Sequence, residues 1–289
     1  MTLTPMTPHA LGRVASEVMR LWLSQPCLLA FDFDGTLAPI VARPDMARPS
    51  PSAVRALTLL QRHHPVAIVT GRAVADVRPR LGFEPDAVVG SHGAESPWAP
   101  ALGSPVAPDE LVVALDGFRQ DMAGPLGERL RAAGVTIEDK GASLALHYRL
   151  AQQRALAHSL AHEACASWAG RLKVFEGKMV FNVTALDAPD KADAVDLLQR
   201  HFGVAHACFA GDDVNDEPVF EQQREDWVTI KVGMPDGGGT AARFALGTPA
   251  DLTVFLTACL RWNSAPLRAG WTQAGDSTAS APASHTTKG

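Results

Sequence analysis

Short apolar runs recur along the chain, and each of them is followed by a helical pattern. Runs of this kind, bounded by turn residues, are typical of strands buried on both faces of a parallel sheet. Because strands that alternate with helices form a parallel sheet between two helical layers, the sequence predicts a doubly wound, Rossmann-like α/β core. The runs cover residues 27–33, 65–69, 87–90, 206–210 and 228–232.

The pattern changes between the third and fourth of these runs. Residues 109–133 and 152–169 show helical periodicity, and two strand-like runs follow each of these segments. The strand-like runs cover residues 135–139, 143–148, 172–176 and 179–184. The sequence therefore predicts an inserted α+β domain made of two αββ units, a cap with one sheet face free to cover a cleft.

These patterns divide the chain into five expected segments. They are an N-terminal extension with an amphipathic helix (1–25), the first part of the core (26–104), the inserted cap (105–187), the second part of the core (188–263) and a C-terminal tail (264–289). The end of the tail is rich in Ser, Thr, Ala and Gly, a composition that predicts disorder.

Composition excludes several classes of protein. The chain of 289 residues has a net charge of −5 and no basic stripe, so we expect no nucleic-acid partner. No apolar run reaches the length of a membrane span and no secretory signal is visible, so we expect a soluble protein that does not bind a membrane. Its four cysteines show no CxxC spacing and are interpreted as reduced thiols of a cytoplasmic protein.

Acidic side chains follow two of the predicted core strands. Asp32 and Asp34 come at the end of the first run, and Asp212, Asp213 and Asp216 come directly after the fourth. Ligands of open α/β sheets bind at this edge, and carboxylates this close repel one another unless a cation or a proton lies between them. An isolated pair of acids is as easily a solvated helix cap, but two clusters on one sheet favour a site for a hard cation such as Mg²⁺.

A third segment at the same edge favours an anion. Thr70, Gly71 and Arg72 follow the second run and offer a hydroxyl group and backbone amides to a phosphate. Taken alone, these three residues are a common strand-to-helix turn.

The order of these motifs resembles that of the haloacid dehalogenase-like phosphatase superfamily. DFDGT, TGR, a lysine and GDDxND occur in this order, and the resemblance covers residues 28–256. It implies that Asp32 is the nucleophile that forms an aspartyl phosphate and that Asp34 is the general acid and base. One residue departs from the pattern, because Ala192 stands after the lysine where the family usually has Gly.

The same resemblance implies roles for the remaining residues of the core site. Thr70 would bind the phosphate, and Lys191 would neutralise its charge. Mg²⁺ would be held by the carboxylate of Asp32, the backbone carbonyl of Asp34 and the carboxylate of Asp212. Asp213 and Asp216 would act as supporting acids.

Further segments resemble the trehalose-6-phosphate phosphatases within that superfamily. They are residues 36–40, 90–95, 138–140, 147–149 and 176–178. The resemblance implies Mg²⁺-dependent hydrolysis of trehalose 6-phosphate to trehalose and phosphate, and a functional link to the synthase that supplies this substrate. The substrate-binding residues implied are Asp32, Phe33, Asp34, Gly71, Arg72, His92, Glu138, Lys140, Arg149 and Lys178. Asn182 departs from the family, which commonly has an acidic residue there.

Three alternatives remain open from the sequence. The charges of the cap are also explained by a solvated sheet face with cross-strand ion pairs. The same chemistry fits another sugar phosphate, such as sucrose 6-phosphate. A catalytically idle sensor of sugar phosphates is the third alternative, although binding alone requires neither Asp32 nor Asp34.

Overall fold

Two sheets organise the computed structural model, which describes residues 7–96, 108–233 and 239–268. The first is a parallel sheet of six strands in the order β10-β9-β8-β1-β2-β3. Its strands are β1 (Leu28–Phe31), β2 (Val66–Val69), β3 (Ala87–Val89), β8 (Ala207–Gly211), β9 (Trp227–Val232) and β10 (Phe244–Leu246). This arrangement confirms the predicted parallel α/β core, and β10 is a strand that the sequence patterns did not indicate.

The central strand β1 fixes the positions of the acidic loops. Its neighbours are β8 and β2, and Phe31 pairs with both Ala210 and Ile68. Because the three strands are parallel and in this register, the residues that follow them leave the sheet at the same edge. The first acidic cluster therefore lies between the second acidic cluster and the TGR segment.

Helices cover both faces of this sheet. One apolar core packs α1, α2 and α10 against the sheet, and another packs α8 and α9 against its opposite face. The α-helices of the described residues are α1 (Arg13–Trp22), α2 (Pro51–Leu60), α3 (Val74–Val77), α4 (Pro108–Ala114), α5 (Asp116–Ala123), α6 (Pro125–Ala132), α7 (Arg154–Ala166), α8 (Lys191–Phe202), α9 (Glu217–Glu221) and α10 (Pro249–Trp262).

The second sheet is antiparallel and is built from the inserted segment. Its order is β4-β5-β7-β6, with strands β4 (Thr136–Asp139), β5 (Ser143–His147), β6 (Leu172–Gly177) and β7 (Val180–Ala185). A separate apolar core that includes Phe118, Leu130 and Phe181 packs helices against it. The predicted succession of helix and two strands therefore occurs twice.

The single helix predicted over residues 109–133 is wrong. Three short helices, α4, α5 and α6, occupy this segment. Gly124 adopts an extended conformation, and Pro125 begins α6, where its missing N–H group costs nothing. The glycine and proline therefore break a pattern whose apolar spacing looked continuous.

The chain before the sheet and the chain after α10 pack on the core together. The N–H groups of Ser264 and Ala265 donate to the carbonyl of Leu23, and the Arg268 guanidinium pairs with Asp86 at 2.9 Å. The tail expected over 264–289 lies outside the described residues from 269 onward. Within the described residues, no helix is long and apolar enough to cross a membrane.

His64 is a buried histidine that the fold holds in its neutral form. Its Nδ1 atom accepts the N–H of Cys27 at 3.3 Å, and its Nε2 atom lies 3.0 Å from the side-chain oxygen of Asn263. Burial lowers the pKa of His64 to about 4, whereas an unfolded chain would hold it near its ordinary value of about 6.5.

We expect His64 to make stability depend on pH between about 6.5 and 4. Protonation favours the unfolded chain in this window, so the stabilisation is complete above about pH 6.5 and falls by about 3 kcal/mol as the pH approaches 4. Urea unfolding of the wild type and of His64→Gln at several pH values measures this. The variant should lose less stability between pH 7 and pH 4.5, and an unchanged pH dependence would contradict the assignment.

Candidate active site

A pocket of about 480 Å³ lies between the strand ends of the core and the second sheet. Most of the site residues predicted from the sequence line it. They are Asp32, Asp34, Thr70, Gly71, Arg72, His92, Glu138, Lys140, Arg149, Lys178, Lys191, Asp212 and Asp213. The side chain of Phe33 is instead fully buried in the core, so it offers a ligand only its main chain. Asp216 is fully buried beside the pocket.

Asp32, Lys191 and Asp216 form a buried row of charges. Asp32 follows β1, and its N–H group donates to the carbonyl of Ala210. Lys191 is the first residue of α8, and its Nζ atom lies 2.9 Å from Asp32 Oδ1 and 2.7 Å from Asp216 Oδ1. Burial raises the pKa of Asp32, and the ammonium group of Lys191 opposes this rise. Burial alone would lower the pKa of Lys191, but the two carboxylates raise it, so the lysine stays charged.

The helix start that places Lys191 is encoded locally. Asp190 caps α8, because its side chain accepts the N–H groups of Ala192 and Asp193, and Asp193 returns a bond to the Asp190 N–H group. Ala192, which stands where the family usually has Gly, takes part in this cap without displacing the lysine. The lysine is therefore held in place by both its helix and its two carboxylates.

Asp216 organises the second acidic loop. Its Oδ2 atom accepts the N–H groups of Asp212 and Asp213 at 2.8 and 2.9 Å, while its Oδ1 atom binds Lys191. Both oxygens therefore already have partners. Asp216 is suited to shape the loop and to orient Lys191; its role as a supporting acid stays a prediction.

Three carboxylates lie close enough to share a metal ion. One oxygen of each of Asp32, Asp212 and Asp216 lies within 4.8 Å of the others. Carboxylate oxygens suit a hard divalent cation. Asp32 and Asp212 line the pocket, whereas Asp216 lies beside it and binds Lys191 and two amides, so Asp32 and Asp212 are the side chains best placed as ligands. Burial and then Asp216 raise the pKa of Asp212 to about 6, and Lys178 opposes this rise.

Asp34 lies beside this cluster with its side chain bound to an arginine. Arg72 Nε and Nη2 donate to the two Asp34 oxygens at 2.6 and 2.8 Å. The Asp34 carboxylate is thus engaged, so a part in metal binding would fall to its backbone carbonyl, as the resemblance implied.

Thr70, Gly71 and His92 form one wall of the pocket. The backbone N–H of His92 donates to the Thr70 carbonyl, and His92 has φ +60°, a conformation that a side chain seldom adopts. Its imidazole packs on Gly71, where an added Cβ would come within 2.3 Å of the ring. Burial, and then Lys191 and Lys140, lower the pKa of His92 and keep it neutral.

Two lysines in the turns of the second sheet reach the core across the pocket, Lys140 between β4 and β5 and Lys178 between β6 and β7. Lys140 Nζ donates to the Gly71 carbonyl at 3.0 Å. Lys178 Nζ binds the Asp212 carboxylate, and its N–H group donates to Asp213 Oδ2 at 3.1 Å. These contacts hold the cap sheet against the TGR segment and the second acidic loop of the core.

The cap also carries polar groups that face the pocket without reaching the core. Glu138 is bound by His147 at 2.9 Å, and Arg149 donates to the Lys178 carbonyl at 3.3 Å. Asn182, the departure noted in the sequence, is buried in this wall. This wall of the pocket therefore presents both hydrogen-bond donors and hydrogen-bond acceptors, and both positive and negative charges.

Sequence reasoning missed several residues of the site. Thr36 donates to Asp212 Oδ1 at 3.3 Å, and Asp76 anchors Arg72 at 2.7 Å. His147 contacts Glu138. Asn215 lies close to Gly177 of the cap, because its amide nitrogen would be only 3.2 Å from a Cβ added to that glycine. Thr36 and Asn215 lie inside the acidic motifs, so their position was a usable signal, whereas nothing in the sequence pattern marks Asp76.

The parallel core, the inserted antiparallel sheet and the acidic loops at the strand ends define a haloacid dehalogenase-like phosphatase fold. The sequence matches the family model described as trehalose-phosphatase over residues 30–242. The chain therefore belongs to the trehalose-phosphatase family.

Two curated relatives are similar to the chain over most of its length. A trehalose-phosphate phosphatase of Mycobacterium avium (strain 104) is 36% identical over 236 residues, which cover 78% of this chain and 60% of that protein. A protein of Mycobacterium tuberculosis (strain CDC 1551 / Oshkosh) that bears the name uncharacterized glycosyl hydrolase is 33% identical over 267 residues, which cover 86% of this chain and 19% of that protein. The chain thus spans less than two thirds of the length of these curated relatives.

Among solved structures, the chain resembles the C-terminal domain of Candida albicans trehalose-6-phosphate phosphatase. The TM-score is 0.67 at 21% identity, and the match covers 88% of this chain and 98% of that chain. At this identity the likeness supports the fold.

We expect Gly35→Ala to weaken cation binding. Gly35 has φ +80°, and an added Cβ would come within 2.0 Å of Asp212 Oδ2. The side chain of Asp212 would have to move, so affinity for Mn²⁺ or Mg²⁺, measured by calorimetry, should fall by about tenfold or more.

Gly170→Ala is the matched control for this substitution. Gly170 has φ +78°, and an added Cβ would meet nothing within 4 Å. Both variants therefore share a backbone cost of about 1 kcal/mol, but only Gly35→Ala disturbs Asp212. Equal cation affinities for the two variants would contradict a role of Asp212 as ligand.

Proposed function

We propose that the chain is a Mg²⁺-dependent phosphatase that converts trehalose 6-phosphate to trehalose and phosphate through an aspartyl phosphate. The observation that carries this proposal is the buried row Asp32–Lys191–Asp216 at the floor of a pocket that polar cap residues cover. A binding site alone has no need for a carboxylate that burial and a lysine hold in a fixed position beneath the pocket.

The core residues support a two-step reaction. Asp32 attacks phosphorus, the bond from phosphorus to the sugar oxygen breaks, and that oxygen takes a proton from Asp34. Water then attacks phosphorus and gives a proton to Asp34, and the bond from phosphorus to the Asp32 oxygen breaks, which releases phosphate and restores the Asp32 carboxylate. Lys191 and Thr70 stabilise charge on the phosphoryl oxygens. A bound Mg²⁺ ion, held by Asp32, the carbonyl of Asp34 and Asp212, would supply further positive charge there.

The cap residues support a neutral disaccharide as the leaving group. Sugar hydroxyls are bound by side chains that both donate and accept hydrogen bonds, and Glu138, Lys140, Arg149 and Lys178 provide both kinds of group. His92, held neutral, adds a donor or an acceptor near the phosphate end. With the cap against the core, bulk water would be excluded while the phosphoryl group is transferred.

The cellular setting is the last part of the proposal. We infer a cytoplasmic enzyme that uses trehalose 6-phosphate made by a synthase, because the family makes trehalose. The proposed division of the chain into a core (26–104 and 188–263) and a cap (105–187) follows the two sheets.

Phosphate release from a panel of sugar phosphates tests the substrate. With Mg²⁺, turnover of trehalose 6-phosphate should exceed that of sucrose 6-phosphate and mannose 6-phosphate by about 100-fold, because lost hydrogen bonds leave cap groups unpaired. EDTA should abolish release, and added Mg²⁺ should restore it. Equal turnover of the three esters would contradict the substrate but not the phosphatase, whereas binding without release would identify a sensor.

Substitution of the nucleophile tests the mechanism. Asp32→Asn keeps the shape of the side chain but removes the attacking oxygen anion, so kcat should fall by about 10⁴-fold or more. Asp187→Asn, an exposed aspartate outside the pocket, is the matched control and should keep wild-type activity. Rapid acid quenching should trap a phosphorylated wild-type chain, and retained activity in Asp32→Asn would contradict this mechanism.

A further inference from the structure

The guanidinium group of Arg72 is largely occupied by the protein itself. Nε and Nη2 donate to the two oxygens of Asp34, Nη2 also donates to the Pro44 carbonyl at 2.9 Å, and Nη1 donates to Asp76 Oδ2 at 2.7 Å. These bonds use four of the five N–H groups of an arginine. If Arg72 bound a phosphate through two N–H groups, it would have to break its two hydrogen bonds to Asp34, because both pairs of bonds use the same donor geometry.

Arg72 is also held rigidly from behind. Asp76, one helical turn further along the chain, is also bound by Arg80, whose Nη2 atom donates to Asp76 Oδ1 and whose Nε atom lies 3.2 Å from Oδ2, the oxygen that Arg72 binds. The Arg72 guanidinium lies over the ring of Phe33 at 5.3 Å from the ring centre. With 13% of its side chain exposed, Arg72 has little freedom to swing towards a ligand.

We propose that Arg72 is a positioning residue for Asp34, anchored by Asp76, and is not the substrate contact that the sequence suggested. It fixes the carboxyl group of the general acid and base at the leaving-group side of the pocket. This inference rests on the proposed phosphatase function and goes beyond it, since it assigns Arg72 and Asp76 to proton transfer.

The pairing is compatible with both halves of the reaction. A protonated Asp34 keeps one oxygen on Arg72 and turns its O–H group to the ester oxygen. When the P–O bond breaks, the bonding electrons stay on the sugar oxygen, which takes this proton, while the phosphoryl group is transferred to Asp32. The resulting Asp34 carboxylate then binds Arg72 through both oxygens and accepts the proton of the attacking water.

Leaving groups that differ in their need for a proton test this role. A sugar alkoxide needs a proton to leave, whereas 4-nitrophenolate leaves as a stable anion. Single-turnover rates with trehalose 6-phosphate and 4-nitrophenyl phosphate report the first half of the reaction alone. In Arg72→Ala the rate with the sugar ester should fall by about 100-fold and the rate with the nitrophenyl ester by less than about threefold.

Further variants separate positioning from general damage. Asp34→Asn should reproduce the pattern of Arg72→Ala, and Lys191→Met should slow both esters. Asp76→Asn should cause a smaller loss that is again confined to the sugar ester. Arg78→Lys, on the same segment but paired with Glu84, should behave as wild type. If Arg72→Ala does not fold, Arg72→Lys is the alternative, because it keeps the charge but cannot donate to both oxygens of Asp34 at once. Its rate with the sugar ester alone should fall by about tenfold.

The outcomes distinguish this inference from the proposed function. Equal losses with the two esters in Arg72→Ala or Arg72→Lys, or a rise in KM for both, would show that Arg72 binds the phosphate and would overturn the positioning role alone. A wild-type chain that is inactive with both esters would overturn the proposed function, and the positioning role with it. Should a different sugar ester prove to be the substrate, the same comparison applies to that ester.

Discussion

The buried ion pairs of Lys191 are the interaction on which the site depends. A lone charge beneath a protein pocket is strongly unfavourable, and removal of one partner leaves the other uncompensated. Here Lys191 is shared between Asp32, which directly follows the central strand, and Asp216, which shapes the second acidic loop. The single ammonium group therefore ties the start of α8 to the ends of two neighbouring strands, and the pocket floor is rigid because none of these three groups can move alone.

The cap extends this network from the core to the second sheet. Lys178 contacts the same loop that Asp216 organises, and Lys140 contacts the TGR segment. Both loops that contact the cap therefore carry functional groups, and the loop with Asp32 and Asp34 lies between them. A shift of the cap sheet changes the surroundings of Asp212 and Gly71 directly, so the polar groups of the cap and the charged groups of the core are coupled through a few polar bonds.

The sequence predicted the site better than it predicted the details of the scaffold. Asp32, Thr70 and Asp212 were placed together because parallel strands deliver their following residues to one edge, a rule that needs only strand order. The break at Gly124 was missed because apolar periodicity indicates which face is buried. It does not indicate where the backbone turns between two short helices. Local chemistry, a proline after a glycine, carried that information.

Arg72 shows the limit of motif reasoning within the site. A guanidinium beside a phosphate-binding turn has the same appearance in sequence whether it binds a ligand or a neighbouring carboxylate. The choice depends on Asp76 and on the carbonyl of Pro44, which come from different parts of the chain and have no motif of their own. A ligand phosphate and a neighbouring carboxylate compete as acceptors for the same guanidinium group. Their positions in three dimensions decide which of them it binds, and spacing along the chain does not reveal those positions.

The balance of charge in the pocket limits the order in which ligands bind. Asp32, Asp212 and Asp216 carry three carboxylates against the ammonium groups of Lys191 and Lys178. With the carboxylates in excess, a phosphate dianion entering this floor is repelled, whereas a divalent cation is attracted. A bound divalent cation would reverse the sign of the local charge and make the same floor attractive to a phosphate ester. Since coupling between two ligands is reciprocal, a bound phosphate would then tighten the binding of the cation by the same factor.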